Sequence, residues 1–224
     1  MKLLIILLLF LNIVTVTSAQ TVSTVNYVSI SGAGGNRQGS VSIDYFHLWK
    51  PGASKKIEIG FGARFTSYFG SSQYYSSAPA SLANDVTKTD SVLLVSPQVN
   101  AFNLALNLGY RLSPKIGFGF NIDALGFTVG SKESGTYLNG TQGGSTIAKP
   151  TSFNVLLVGN NDRGTLNSEF YVRYFFTKKL ALKVGYEYLF TEYTTGTKIQ
   201  QTPEANDRFR NKASLFSLGI TKQF

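Results

Sequence analysis

Nine ionisable residues recur at alternate positions within otherwise apolar stretches: Asp44, Glu58, Asp123, Glu169 and Glu187 against Arg64, Arg111, Arg173 and Lys183. In an extended chain every second side chain falls on the same face, so these charges share a face with Gly, Ser, Asn and Thr while Val, Ile, Leu and Phe take the other. Five acids against four bases is the near-balance that an enclosed polar interior requires, because a buried charge without a partner loses solvation energy. Two uses follow: a gated or selective water path, or an interior packed solid. Catalysis has little to draw on. The only histidine, His47, lies on the apolar face two residues from the only tryptophan, Trp49, and reads as an interfacial anchor. With no cysteine and one histidine, no catalytic, metal or cofactor site is expected. Gly117-Phe118-Gly119 lacks the third glycine and the helix of a nucleotide-binding loop.

The elements that carry these charges alternate with a period of two. Val22 to Ser31 forms a first strand, with Val28 and Ile30 on one face and Val25 and Tyr27 on the other. Ser40 to Trp49, Lys56 to Thr66, Ala101 to Leu112, Ile116 to Ala124, Leu166 to Phe176, Leu180 to Phe190 and Leu215 to Phe224 complete a set of eight. In the sixth, Leu166, Phe170, Val172 and Tyr174 face outward. The pattern blurs at Leu125, Phe127 and Val129, as a bulge at Gly126 would make it do. Tight turns near Pro51, Pro114 and Lys178 alternate with longer connections at 32–38, 67–97, 125–165 and 195–211. The apolar segment Phe153 to Val158 would break the parity as a ninth spanning strand and is read as a hairpin extension, with an inward plug as the alternative.

Lys2, an apolar run from Leu3 to Val16 and the small residues Thr17-Ser18-Ala19 have the three parts of a secretory signal peptide, residues 1–19. One domain, 20–224, follows. It has no second apolar run of helix length, and the mean hydropathy of +0.02 suits strands that show apolar residues on one face only. Tyr and Phe number 12 and 17 against one Trp, an excess that fits aromatic girdles at a membrane interface.

The terminal Leu-Phe-Ser-Leu-Gly-Ile-Thr-Lys-Gln-Phe, with Phe216, Leu218, Ile220 and Phe224 on one face, resembles the C-terminal signature of bacterial outer-membrane β-barrel proteins; Lys222 departs from it. With the signal peptide, the alternating strands and the turn-loop asymmetry, the whole mature chain resembles small barrels of the OmpA, OmpX and OmpW kind. Asn167-Ser168-Glu169-Phe170 and Asn206-Asp207-Arg208-Phe209 are most similar to Bacteroidetes members. The resemblance implies an all-β, eight-stranded antiparallel up-and-down transmembrane barrel with short periplasmic turns and long extracellular loops. It also implies that Phe224, Ile220, Leu218 and Phe216 form the signal read by the barrel assembly machinery.

Function is then expected to be non-enzymatic: a structural and surface-interaction protein with a charge-paired lumen. The alternative is an OmpW-like conduit for small apolar solutes, lined by Leu125, Phe127, Val129 and Leu189. A lipid A-modifying enzyme would need its histidine at the extracellular rim, the opposite end from His47. The net charge of +9 is expected to meet outer-membrane lipid and lipopolysaccharide phosphates, not nucleic acid. Tyr74, Tyr75, Arg208, Arg210 and Lys212 are the expected loop contacts for a surface glycan or a host protein. Asn139-Gly140-Thr141 and Asp90-Ser91-Val92 match short glycosylation patterns of three residues each.

Overall fold

A computed structural model describes residues 22–138, 144–198 and 204–224; the expected signal peptide and Asn139-Gly140-Thr141 lie outside them. Thirteen antiparallel strands form one sheet: β1 (Ser23–Gly35), β2 (Gln38–Lys50), β3 (Ile57–Gly70), β4 (Gln73–Ser77), β5 (Ser91–Leu94), β6 (Gln98–Arg111), β7 (Ile116–Val129), β8 (Glu133–Tyr137), β9 (Ser145–Pro150), β10 (Phe153–Val155), β11 (Leu166–Phe175), β12 (Leu180–Thr195) and β13 (Arg208–Gln223). A single turn of helix, α1 (Ala80–Ala83), lies between β4 and β5.

The expected count of eight is therefore corrected to thirteen. β4, β5, β8, β9 and β10, three to six residues each, lie within the stretches read as polar connections. β4, β5, β8 and β9 are too short and too interrupted by Ser, Thr or Gly for alternation to stand out, while β10 is the start of the apolar segment read as a hairpin extension. The eight longer strands form a connected path of pairs. β1 pairs with β2, β2 with β3, β3 with β6, β6 with β7, β7 with β11, β11 with β12, β12 with β13, and β13 with β1. The path returns to its start, so none of the eight has a free edge along its paired length.

Three local expectations change. The connection at 32–38 is strand on both sides, with Gly35 opposite Gln38, which leaves Asn36-Arg37 as a two-residue turn. Arg37, the second residue of that turn, takes the left-handed conformation, φ 56°. The irregularity in β7 is at Ala124, not Gly126: Leu104 opposes Leu125 while Ala105 opposes Asp123, so Ala124 is the extra residue. The segment Phe153 to Val158 is one arm of the expected hairpin, with Val155 bridged antiparallel to Arg163, but it is anchored to the sheet and is not a plug. Its first part, β10, continues the edge of β7 beyond the end of β11, with Phe153 opposite Phe127.

Alternation gives the ring two faces. In β6, Ala101, Asn103, Ala105 and Asn107 are buried while Phe102, Leu104, Leu106 and Leu108 are exposed. The interior is layered along the strands. Toward the tight-turn end, Val25, Tyr27, Phe46, Leu48, Phe175 and Ala181 pack together; toward the loop end, Tyr68, Tyr75, Val92, Leu94, Tyr193 and Phe209 do so. The charged layer lies between these two and reaches in among Tyr27 and Phe175 of the first. Gly119 makes room in it: a Cβ there would stand 2.5 Å from the Tyr171 hydroxyl, so only glycine lets that ring lie against the wall.

Candidate functional site

All nine ionisable residues singled out from the sequence face the interior, and they divide into two groups. In the first, Arg64 Nε donates to Asp123 Oδ1 at 2.9 Å, and its guanidinium lies 4.0 Å from Glu169. Lys183 Nζ lies 3.2 Å from Asp44 and 3.1 Å from Glu169. β2 and β12 are not hydrogen-bonded neighbours, so the Lys183–Asp44 pair crosses the interior. Asn103 donates to Asp123 at 2.7 Å, and Asn121 and Ser217 to Glu169 at 2.9 and 3.1 Å. Glu187 stands apart. Its partners are Ser40 at 3.1 Å and Asn167 at 3.0 Å, and no cation lies within 4 Å of it among the described residues.

The second group centres on Glu58, nearer the tight turns. Arg111, Arg173 and Lys50 approach its carboxylate at 3.4, 3.6 and 3.8 Å, and the Tyr27 hydroxyl donates to it at 2.8 Å. The two guanidiniums lie over aromatic rings, Arg111 over Phe175 at 3.8 Å and Arg173 over Tyr27 at 4.0 Å. Stacking on a ring face satisfies a buried guanidinium in directions its hydrogen bonds leave open. Arg111 also donates to Gln223 at 2.9 Å, which ties β6 to β13 across the interior.

A third cluster was not legible in the sequence. Glu192, fully buried, accepts from Arg208 Nε at 2.8 Å and from Arg210 at 2.9 Å. By strand parity Glu192, Arg210 and Leu166 belong to the outer face, with Phe190 and Phe216, yet they are buried. The segment Leu156–Asp162 covers them: both arginines donate to the Asp162 carbonyl, and Leu156, Val158 and Leu166 line a common pocket. The outward expectation for Leu166 is corrected accordingly. Reading β12 past its last apolar residue, Phe190, would have brought Glu192 into view.

Among the expected loop contacts, Tyr74 and Lys212 are exposed, with Lys212 3.2 Å from Asn160. Tyr75, Arg208 and Arg210 are corrections. Tyr75 is buried, shares a hydrogen bond with Thr191 at 3.0 Å and packs edge-on against Tyr193. Burial pushes its phenol well above the ordinary value, so it remains neutral. Arg208 and Arg210 are engaged with Glu192, and Arg210 is buried. The apolar lining expected for a conduit is also corrected, because Leu125, Phe127 and Val129 point outward and only Leu189 points in.

Phe216, Leu218, Ile220 and Phe224 lie on the outer face, and the Phe224 amide donates to the Asn26 carbonyl at 3.0 Å. Lys222 curls over the Phe224 ring at 4.9 Å, which explains how a lysine is held on that face. His47 Nδ1 lies 2.8 Å from Asn26 Oδ1 and its ring meets Trp49 edge-on at 5.2 Å. Neither partner is an acid. Ser91 is paired with Ser76 inside β5 rather than displayed on a loop. Among the described residues no cluster of three potential metal ligands occurs.

No protein-family model matches the chain, and no curated protein matches it. Among solved structures the chain is similar to Neisserial surface protein A, at 10% identity and a TM-score of 0.37 over 92% of this chain and 100% of that one. It is similar to the N-terminal β-barrel domain of Pseudomonas aeruginosa OprF, at 9% identity and a TM-score of 0.37 over 91% and 100%. It is also similar to Ail, the attachment invasion locus protein of Yersinia pestis, at 9% identity and a TM-score of 0.37 over 91% and 97%. Likeness at this level says nothing of function, which rests on the geometry above.

Proposed function

We propose that the chain is an integral outer-membrane β-barrel of eight spanning strands, with short turns in the periplasm and long loops at the cell surface, acting as a non-enzymatic structural and surface-interaction protein. The observation that carries this reading is the combination of a self-closing path of strand pairs with two opposite faces. Apolar residues exposed on every long strand would be costly in water, and they include Ile43, Phe61, Leu106, Phe118, Val172, Val184 and Leu218. In a bilayer they face lipid, and closure leaves no unpaired strand edge there. β12 and β13, sixteen residues each, run roughly 54 Å at about 3.4 Å per residue, enough to cross the apolar band and extend beyond it.

The lumen would be closed by side chains, since an eight-stranded barrel is only just wide enough to be filled by them. Its charge network joins opposite walls, and apolar layers lie above and below it. Surface interaction would fall to the loop end, where Tyr74 and Lys212 remain accessible to lipopolysaccharide, a surface glycan or a host protein. The exposed terminal row Phe216, Leu218, Ile220 and Phe224 would be read by the assembly machinery. Conductance of the refolded chain in a planar bilayer tests the reading, with heat-dependent gel mobility as evidence of folding. A folded, electrically silent barrel is expected. Discrete conductance steps altered by Arg64→Gln or Glu187→Gln would show an open lumen and make the protein a conduit.

A further inference from the structure

The excess positive charge is unevenly placed. Every charged residue except Lys2 lies in the described part of the chain, so the distribution can be counted over all of them. The loop end carries nine cations and seven anions, and the interior four and five. The tight-turn end carries seven lysines, Lys50, Lys55, Lys56, Lys115, Lys178, Lys179 and Lys222, and no Asp or Glu. The net charge of the folded domain therefore resides almost wholly at the end opposite the long loops.

These lysines form a girdle. Lys50, Lys55 and Lys56 flank the β2–β3 turn, Lys115 lies in the β6–β7 turn, Lys178 and Lys179 in the β11–β12 turn, and Lys222 near the end of β13. Backbone hydrogen bonds fix the turns beside one another: Arg111 N donates to the Lys56 carbonyl, Phe175 N to that of Lys115, and Gln223 N to that of Lys179, each at 2.7 Å. Only Lys50 is drawn inward, toward Glu58. The other six are exposed, and among the described residues none has a carboxylate within 4 Å.

An apolar groove of about 760 Å³ on the outer wall adjoins this girdle. It begins at Ile57, next to Lys56, and continues past Tyr110 and Phe118, near Lys115, toward Phe170 and Tyr186. A row of cations bordering an apolar groove matches a molecule with an anionic head and a hydrocarbon tail.

We infer that the tight-turn end binds anionic phospholipid of the periplasmic leaflet, with the phosphate of its headgroup on Lys56, Lys115 and the neighbouring turn lysines and an acyl chain in the groove. This rests on the membrane-spanning reading proposed above. Lysine stems lie along apolar wall while their ammonium groups reach the headgroup layer. One lysine near an anionic bilayer surface is worth about a fivefold gain in association, so a girdle of six discriminates between charged and neutral headgroups.

The test uses phosphatidylglycerol or phosphatidylcholine carrying a spin label on the acyl chain, added to the refolded protein in phosphatidylcholine vesicles. The electron spin resonance spectrum separates lipid held against protein from free lipid. Phosphatidylglycerol is expected to associate at least about fivefold more strongly, a preference that about 0.5 M salt reduces, screening charges beyond about 4 Å. Replacing Lys55, Lys56, Lys115, Lys178 and Lys179 together by Gln should abolish it, whereas Lys88, Lys132 and Lys149 replaced by Gln at the loop end should not. Salt sensitivity of the unmodified protein keeps the test decisive if the multiple-lysine variant fails to refold. Restricted lipid with no headgroup preference, or a preference that follows the loop-end lysines, would overturn the inference and leave the membrane reading intact. No restricted lipid of either kind would overturn both.

Discussion

Glu169 and Glu187 stand directly opposite each other across the β11–β12 pair, both facing the interior and both almost fully buried. Lys183 is shared between Glu169 and Asp44, which leaves Glu187 to two neutral donors. Like charges in facing positions repel. Glu187→Gln should therefore be neutral or stabilising by about 1 kcal/mol, whereas Lys183→Met, which strands Asp44 and leaves Glu169 only the more distant Arg64 as a cation, should cost about 3–5 kcal/mol. Urea unfolding of the refolded protein, followed by fluorescence of its single tryptophan, measures both. A Glu187→Gln loss as large as that of Lys183→Met would mean that Glu187 has a cationic partner after all.

Gly119 holds the second group together at one remove. The Tyr171 ring lies against it, with the hydroxyl donating to Asn107 at 2.8 Å and accepting from Arg173 at 2.6 Å. A methyl group at 119 would meet that hydroxyl and the Leu108 carbonyl, at 2.5 and 2.7 Å. Gly119→Ala should lower stability by about 1–3 kcal/mol, the usual cost of overpacking. The same change at Gly34, where a Cβ meets nothing within 4 Å, should be far milder when both are compared by urea unfolding.

Glu192 fastens the segment Leu156–Asp162 to the outer wall through Arg208 and Arg210. Glu192→Gln removes the charge that both guanidiniums share, and should expose the segment to protease with cleavage within 156–165 while the long strands stay protected. Digestion followed by mass spectrometry of the fragments reads this directly. Unchanged protection would assign the anchoring to the Asp162 carbonyl alone.

Phe224 closes the β1–β13 seam through its amide and presents its ring outward. Deleting it should reduce the amount of heat-modifiable protein in the outer membrane, both by removing the terminal contact for assembly and by shortening the seam. Fractionation and unboiled gels measure the loss. An undiminished yield would separate this chain from the signature it resembles.

Much of the ring was legible because its rule is local. In β6, Phe102, Leu104, Leu106 and Leu108 alternate with Ala101, Asn103, Ala105 and Asn107 without interruption, and period two alone sorts them into faces. All nine interior charges followed from the same parity. What parity could not reveal was which outward residues are covered. Arg208, Arg210 and Leu166 lie beneath the segment Leu156–Asp162, which for the two arginines is remote in sequence, and its Asp162 carbonyl engages those two together with Glu192 of the neighbouring strand. Tyr75 was missed for a related reason. β4 pairs with β5 and β13 through four and two residues, too few to leave a periodic mark.

The membrane-spanning topology is tested most directly by cysteine accessibility, for which a chain without cysteine is well suited. Val86→Cys places a thiol at a residue 85% exposed at the loop end, and Ser54→Cys places one on the exposed β2–β3 turn. Intact cells are treated with a maleimide too large to pass the outer membrane. The account predicts labelling at position 86 at once, and at position 54 only after the outer membrane is permeabilised. Labelling of position 54 with position 86 protected would invert the topology and set the lysine girdle at the cell surface. Equal labelling of both on intact cells would contradict a chain that spans the membrane.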